Sequence, residues 1–153
     1  MENEIAYTVS DNCTYDELYL FIEQVESDFS PRLFGRIDAK AFILRVLNNA
    51  TIITCRRRGE LIGALFFYAN DLLKKEAYIT FLAISKLWRG CHIASRLLQS
   101  ASKEAKSKGM TKICVSTCNL SVKKFYLNNG FEEDREEFDS HAQTSRFYLV
   151  KGL

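Results

Sequence analysis

The sequence predicts a mixed α/β fold: one domain over residues 1–153, with a mostly antiparallel sheet of six to seven strands and about four helices. Three observations lead there. Tyr78 to Ile84 (YITFLAI) is an almost unbroken apolar and β-branched run, the pattern of a central strand covered on both faces. After the short link Ser85 to Arg89, a helical pattern follows with Ile93, Ala94, Leu97, Leu98, Ala101 and Ala105, closed by Lys106, Lys108 and Gly109. Shorter strand and helix patterns flank this unit without an internal repeat, low-complexity tract or linker, and 153 residues suit one core and are too few for two ordinary ones.

Taken in order, Ile5 to Val9 alternates as a first strand does. Thr14 or Asp16 can cap a helix whose apolar face is Leu18, Phe21, Ile22 and Val25. The pattern fades at Asp28, and Phe29 to Gly35, with the chain's only proline at Pro31, reads as a loop between two helices. The second helix has Asp38 near its start and Ala41, Ile43, Leu44 and Leu47 on its apolar side. Thr51 to Cys55 and Leu61 to Tyr68 read as a hairpin turning at Arg58-Gly59-Glu60. Asn70-Asp71 begins the next connection, and Glu76 opens the central strand. Beyond the helix from Ile93, Lys112 to Thr117 is a short strand and Leu120 to Asn128 a helix, stopped by Gly130 in a left-handed conformation. Two last strands are expected near Glu132 to Phe138 and Ser145 to Val150.

Charge and cysteine usage narrow the function classes. A net charge of +2 gives no argument for nucleic acid, whose phosphate backbone demands a concentrated basic surface. The run Arg56 to Arg58 sits just before Gly59 and reads as a solvated hairpin turn, and the acidic run Glu132 to Glu137, interrupted by Arg135, as a solvated strand surface. Cys13, Cys55, Cys91, Cys114 and Cys118 form no CxxC pair and no metal-ligand spacing, so reduced thiols in a cytoplasmic protein are the simplest reading and no metal is implied. No apolar leader precedes Tyr7 and no run reaches membrane-spanning length, which argues against secretion and membrane insertion.

Where the central strand feeds the helix, free backbone N–H groups and the helix dipole make a site for phosphate. Arg89-Gly90-Cys91-His92-Ile93-Ala94 decide how closely an anion can approach. The segment LAISKLWRGCHIASRLLQ resembles motif A of the GNAT superfamily of acetyl-CoA-dependent N-acetyltransferases, Q/R-x-x-G-x-G/A before a helix, with Arg89, His92 and Ala94 at the marked positions. His92 stands where that family usually has glycine. A β-carbon there is expected to be tolerated only where φ stays negative and the side chain turns away. Downstream, Asn119 to Phe131 resembles the family's motif B, N-x-x-A-x-x-x-Y-x-x-x-G-F, with Val122 for alanine and Tyr126, Gly130 and Phe131 in place.

The resemblance implies a GNAT-like fold with splayed central strands and acetyl-CoA as acyl donor, entering the gap beside Lys112 to Thr117. It assigns the pyrophosphate to Arg89, Gly90, Cys91, His92, Ile93, Ala94 and Ser95, with Arg89 adding charge, and the pantetheine arm to the strand end at Leu82, Ala83 and Ile84. Asn119 contacts this cofactor or caps its helix. Tyr126 matches the family's general acid to the coenzyme A thiolate; the blander reading is a core aromatic whose hydroxyl is satisfied by backbone. The glutamate that many members use as base has Tyr78 and Cys114 at its corresponding positions, and Glu76 shares a face with Tyr78 while serving equally well as a solvated strand end. The catalytic candidates are therefore Tyr126, Glu76 and Tyr78. Cys114 reads as a small strand hydrophobe rather than an acylated thiol.

The reading that results is direct transfer of acetyl from acetyl-CoA to a primary amine of a small molecule, such as an amino sugar, amino acid or polyamine. Alternatives are a noncatalytic CoA-binding module, motivated by His92 and the missing glutamate, and acetylation of a protein N-terminus or lysine. The region from Thr14 to Leu47 is where the family sets acceptor choice, and pairing through the C-terminal strands leaves room for a homodimer.

Overall fold

The computed structural model describes residues 4–26 and 38–153 of the chain. In chain order the elements are β1 (Ile5–Val9), α1 (Tyr15–Val25), α2 (Ala39–Asn49), β2 (Thr51–Arg57), β3 (Glu60–Asp71), β4 (Glu76–Ile84), a 3₁₀ turn (Lys86–Trp88), α3 (Ile93–Ser107), β5 (Lys112–Thr117), α4 (Leu120–Asn128), β6 (Glu132–Asp139) and β7 (Thr144–Gly152). The expected loop around Pro31 lies outside the described residues.

Local chemistry sets the helix starts. Thr14 Oγ1 accepts from the Glu17 N–H at 3.1 Å, Asp38 Oδ1 from Ala41 at 3.0 Å, and Asn119 Oδ1 from Ser121 at 2.8 Å and Val122 at 3.1 Å. Gly130 takes φ +91 just beyond α4, where an L side chain is strained.

The strands form one seven-stranded sheet in the order β1-β2-β3-β4-β5-β7-β6. Every neighbouring pair is antiparallel except β4 with β5. α1 and α2 cover one face, where Leu18, Ile22, Ile43 and Val46 pack on Ile52, Ala64, Phe66 and Phe81. α3 covers the other, where Leu97, Leu98, Ala101 and Ala105 pack on Ile53, Leu65, Phe67, Ala77 and Ile79. Cover on both faces accounts for the near-continuous apolar runs of β3 and β4. At the far edge all of β6 is exposed, in keeping with its acidic run, and Arg135 lies 3.9 Å from the centre of the Tyr148 ring.

Two features depart from the sequence expectations. The Arg56–Arg58 run is only partly a solvated turn: Arg58 is exposed in the hairpin, but Arg56 has 18% of its side chain exposed and binds both Asp11 (2.9 Å) and Glu17 (2.6 Å). Its fork also reaches the Gly59 carbonyl at 3.0 Å, so one guanidinium ties the β1–α1 connection and α1 to the β2–β3 hairpin. The second is a bulge in β4. Phe66 pairs with Phe81 and Phe67 with Ile79, leaving Thr80 unopposed. Residues two apart in a strand share a face; here the extra residue sends Ile79 to the α3 core and Phe81 to the α1/α2 core.

Candidate active site

The parallel pair β4–β5 is short: only Glu76, Ala77 and Tyr78 pair with Lys112, Ile113 and Cys114. Past the bulge at Thr80, β4 continues along β3 while β5 continues along β7, and the two strands diverge. The gap opens a cleft of about 790 Å³ through the sheet, bounded by Trp88, α3 and α4 on one face and by Val25, Phe42 and Arg45 of α1 and α2 on the other. Along it the β4 edge from Ile79 to Ile84 carries backbone N–H and C=O groups with no β5 partner, which suit a ligand bearing amides of its own.

At the mouth stands the start of α3, whose first-turn N–H groups have no partner within the helix. The turn before it contains two left-handed residues, Gly90 at φ +81 and His92 at φ +62. The histidine therefore does not keep a negative φ as expected. The chain needs the left-handed bend that glycine serves at this position, and histidine is among the L residues that tolerate it best, at a cost of about 1 kcal/mol. Its side chain is exposed and makes no cap to α3. Arg89 does more than add charge, since its Nε donates to the Ile84 carbonyl at 3.1 Å and ties this turn back to the end of β4.

The cleft brings together most of the residues singled out in the sequence. Leu82, Ala83 and Ile84 line it along β4, Arg89, Gly90, His92, Ile93, Ala94 and Ser95 at the α3 start, and Asn119 and Tyr126 from α4. Cys91 is exposed and not part of the wall. Tyr78 lines the cleft, whereas Glu76 stands outside it, beyond Tyr78 on the strand and close enough to Cys114 to act on its thiol. Burial first, then the Glu76 charge, pushes the Cys114 thiol up, so it stays protonated near neutral pH.

Tyr126 is 3% exposed, packed edge-on between Phe125 and Phe131 at 5.2 Å from each ring centre. Its hydroxyl makes no hydrogen bond to the described residues, so the backbone-satisfied core tyrosine is not what is found. Burial, with a smaller contribution from Tyr78, holds its phenol well above the usual range. The phenol is thus a neutral acid that keeps its proton until a stronger base appears beside it.

Sequence reasoning missed Arg45, Ser116 and Arg146, which also line the cleft. Nothing local marks them: each is an ordinary polar residue on a helix or strand, and they line one cleft only because the sheet places β4, β5 and β7 side by side and α2 packs on the same face. Among the described residues no group of His, Cys, Asp and Glu could hold a metal ion, and no helix is long and apolar enough to cross a membrane.

Residues 15–131 match the sequence model of the Acetyltransferase (GNAT) family. No curated protein matches the sequence. Among solved structures, a Bacillus anthracis protein assigned as a streptothricin acetyltransferase, in complex with acetyl coenzyme A, is 23% identical, with a TM-score of 0.62 over 69% of this chain and 63% of its own. This chain thus spans less than two thirds of that relative. The ribosomal-protein-S18-alanine N-acetyltransferase of Escherichia coli is 13% identical over 96% of this chain and 94% of its own, with a TM-score of 0.76. The IAA acetyltransferase of Bacillus cereus is 18% identical over 97% and 100%, with a TM-score of 0.72. Likeness at these identities shows a shared fold.

Proposed function

Because the chain belongs to the GNAT family and is an acetyltransferase that uses acetyl-CoA, we propose that it moves acetyl directly to a primary amine of a small molecule within a ternary complex. The observation that carries this is the cleft where β4 and β5 part, lined by the α3 start on one face of the sheet and by Val25, Phe42 and Arg45 on the other, so that donor and acceptor can be held from opposite faces. The cleft residues fit the donor. First-turn N–H groups from Ile93 to Ser95 suit its pyrophosphate, and the β4 edge at Leu82 to Ile84, which has no β5 partner and whose Ile84 carbonyl already accepts from Arg89, suits its amide-bearing arm.

In this reading the neutral amine attacks the thioester carbonyl; a C–N bond forms as the C–S bond breaks. The departing sulfur takes a proton from Tyr126, whose hydroxyl has no partner among the described residues, and the proton shed by the nitrogen passes to water, which returns one to the Tyr126 phenolate. Tyr78 orders the acceptor side through Ser116, 3.1 Å away. Glu76 lies outside the wall and acts, if it serves as base, through water. A protein N-terminus is the second reading, supported by the full-length likeness to the alanine N-acetyltransferase.

The test is titration with acetyl-CoA, followed by thiol release over a panel of small amines and peptides. Binding with release for a small amine is the expected result. Binding without release for any amine would leave a noncatalytic CoA module as the function, and release with peptides alone would assign a protein acceptor.

A further inference from the structure

The face of the cleft away from α3 carries positive charge of its own, apart from Arg89 at the α3 start. Ala77, Ile79, Ile113, Val115, Phe147 and Leu149 all join the α3 core. Alternation therefore turns Tyr78, Ser116 and Arg146 to the opposite face of the sheet, the face on which α1 and α2 pack. There Arg146 Nη1 donates to Ser116 Oγ at 3.0 Å, and the same Oγ lies 3.1 Å from the Tyr78 hydroxyl. Arg146 is half-buried; Glu137 stands opposite it across the β6–β7 pair but binds Arg135 at 2.9 Å, and no carboxylate among the described residues forms a salt bridge with Arg146. Arg45 of α2 lines the same side, its charge reaching the hydroxyl of Tyr68, the cross-strand partner of Tyr78. No Asp or Glu stands among the described residues that line the cleft.

We propose that the acceptor amine carries an oxyanion, a carboxylate or a phosphate, and that Arg146, held in place by Ser116, binds it together with Arg45. The proposal rests on the acetyltransferase reading and names its substrate class. A guanidinium presents five donors in a planar fork, and a single hydroxyl uses only one. An oxyanion is the group that fork matches with two parallel bonds. Two arginines on a lining that holds no Asp or Glu among the described residues repel a polyamine, whereas an acceptor that is itself anionic offsets the repulsion. What positive charge is left beside the bound acceptor favours the neutral form of its amine.

Two measurements test this on the full-length protein. First, acetyl-CoA binding is established by titration, and the protein is then saturated with CoA and titrated with inorganic phosphate. With the donor's phosphate sites filled, uptake reports the second oxyanion site. One site is expected, weakened about tenfold in both Arg146→Gln and Arg45→Gln. Arg45 is exposed on α2, so its variant folds whatever becomes of Arg146. Second, turnover is compared in matched pairs, glycine against glycinamide and glucosamine 6-phosphate against glucosamine, with spermidine as the polycation. The anionic member should lead by about tenfold in kcat/KM, and Arg146→Gln should erase the lead through KM. The pair that responds tells carboxylate from phosphate. Absence of a phosphate site on the CoA-saturated protein, a site indifferent to both substitutions, or equal use of a neutral amine or spermidine overturns the proposal alone. Absence of acetyl-CoA binding overturns the acetyltransferase reading and this proposal with it.

Discussion

Tyr126 and His92 show how much one side chain's role depends on what surrounds it. Tyr126 is buried with a free hydroxyl at the cleft, so Tyr126→Phe removes a proton donor and little packing. Turnover should fall about 100-fold with acetyl-CoA affinity unchanged in a titration, and unchanged turnover would remove the acid assignment. Because burial raises its phenol, ionisation of Tyr126 should not limit activity until the pH passes the ordinary phenol range near about 10. His92 makes no cap and sits at φ +62, so His92→Gly should raise stability by about 1 kcal/mol and preserve or tighten acetyl-CoA binding. Thermal unfolding and the same titration check both parts. Weaker binding after the change would instead assign the imidazole a direct phosphate contact. The sequence marked both residues by motif position, but neither the left-handed turn nor the free hydroxyl could be read from residue types.

At the scale of elements, the placement of α3 against the sheet decides where its N-terminus lies. Gly63 of β3 sits beneath that helix, where an added β-carbon would stand 2.9 Å from Ile84 Cδ1 and 3.2 Å from Ile93 Cγ2. Gly63→Ala should therefore cost about 1 kcal/mol, since the tip of Ile84 can move aside and Ile93 need yield only slightly, and any displacement of the first turn of α3 should show as weaker acetyl-CoA binding. A variant with normal melting temperature and normal affinity would show that the turn adjusts freely. The elements themselves were largely legible. β1, β5 and α4 lie where alternation and capping placed them, and Thr14, Asp38 and Asn119 start their helices. β3 runs on to Asp71 because it pairs with β4 as far as Glu76, a partnership outside its own sequence. The bulge at Thr80 left no local mark, since apolar residues on either side serve either face equally well.

Across the whole molecule, stability should depend on acid in a way that traces to Arg56. The Arg56 hydrogen bonds hold Glu17 below the usual carboxylate range; at Asp11 burial works the other way, but the bonds from Thr54 and Arg56 outweigh it and the net shift is down. Carboxyls lowered in the folded state contribute stability above their unfolded pKa and lose it as pH falls through the folded value. Melting temperature should therefore drop steeply below about pH 4, and Arg56→Met should cost about 2 kcal/mol at neutral pH while flattening that drop. An unchanged acid slope in the variant would place the acid-sensitive groups elsewhere.

The sequence by itself determined the order and kind of the elements and the two motifs that mark acetyl-CoA as donor, because caps, periodicity and motif spacing are local properties. Tertiary structure alone decided where β4 and β5 part, which face each side chain beyond Thr80 takes, and that Arg45, Ser116 and Arg146 line one cleft. Strand register and divergence are set by pairing between segments far apart in the chain, and no single segment carries that information.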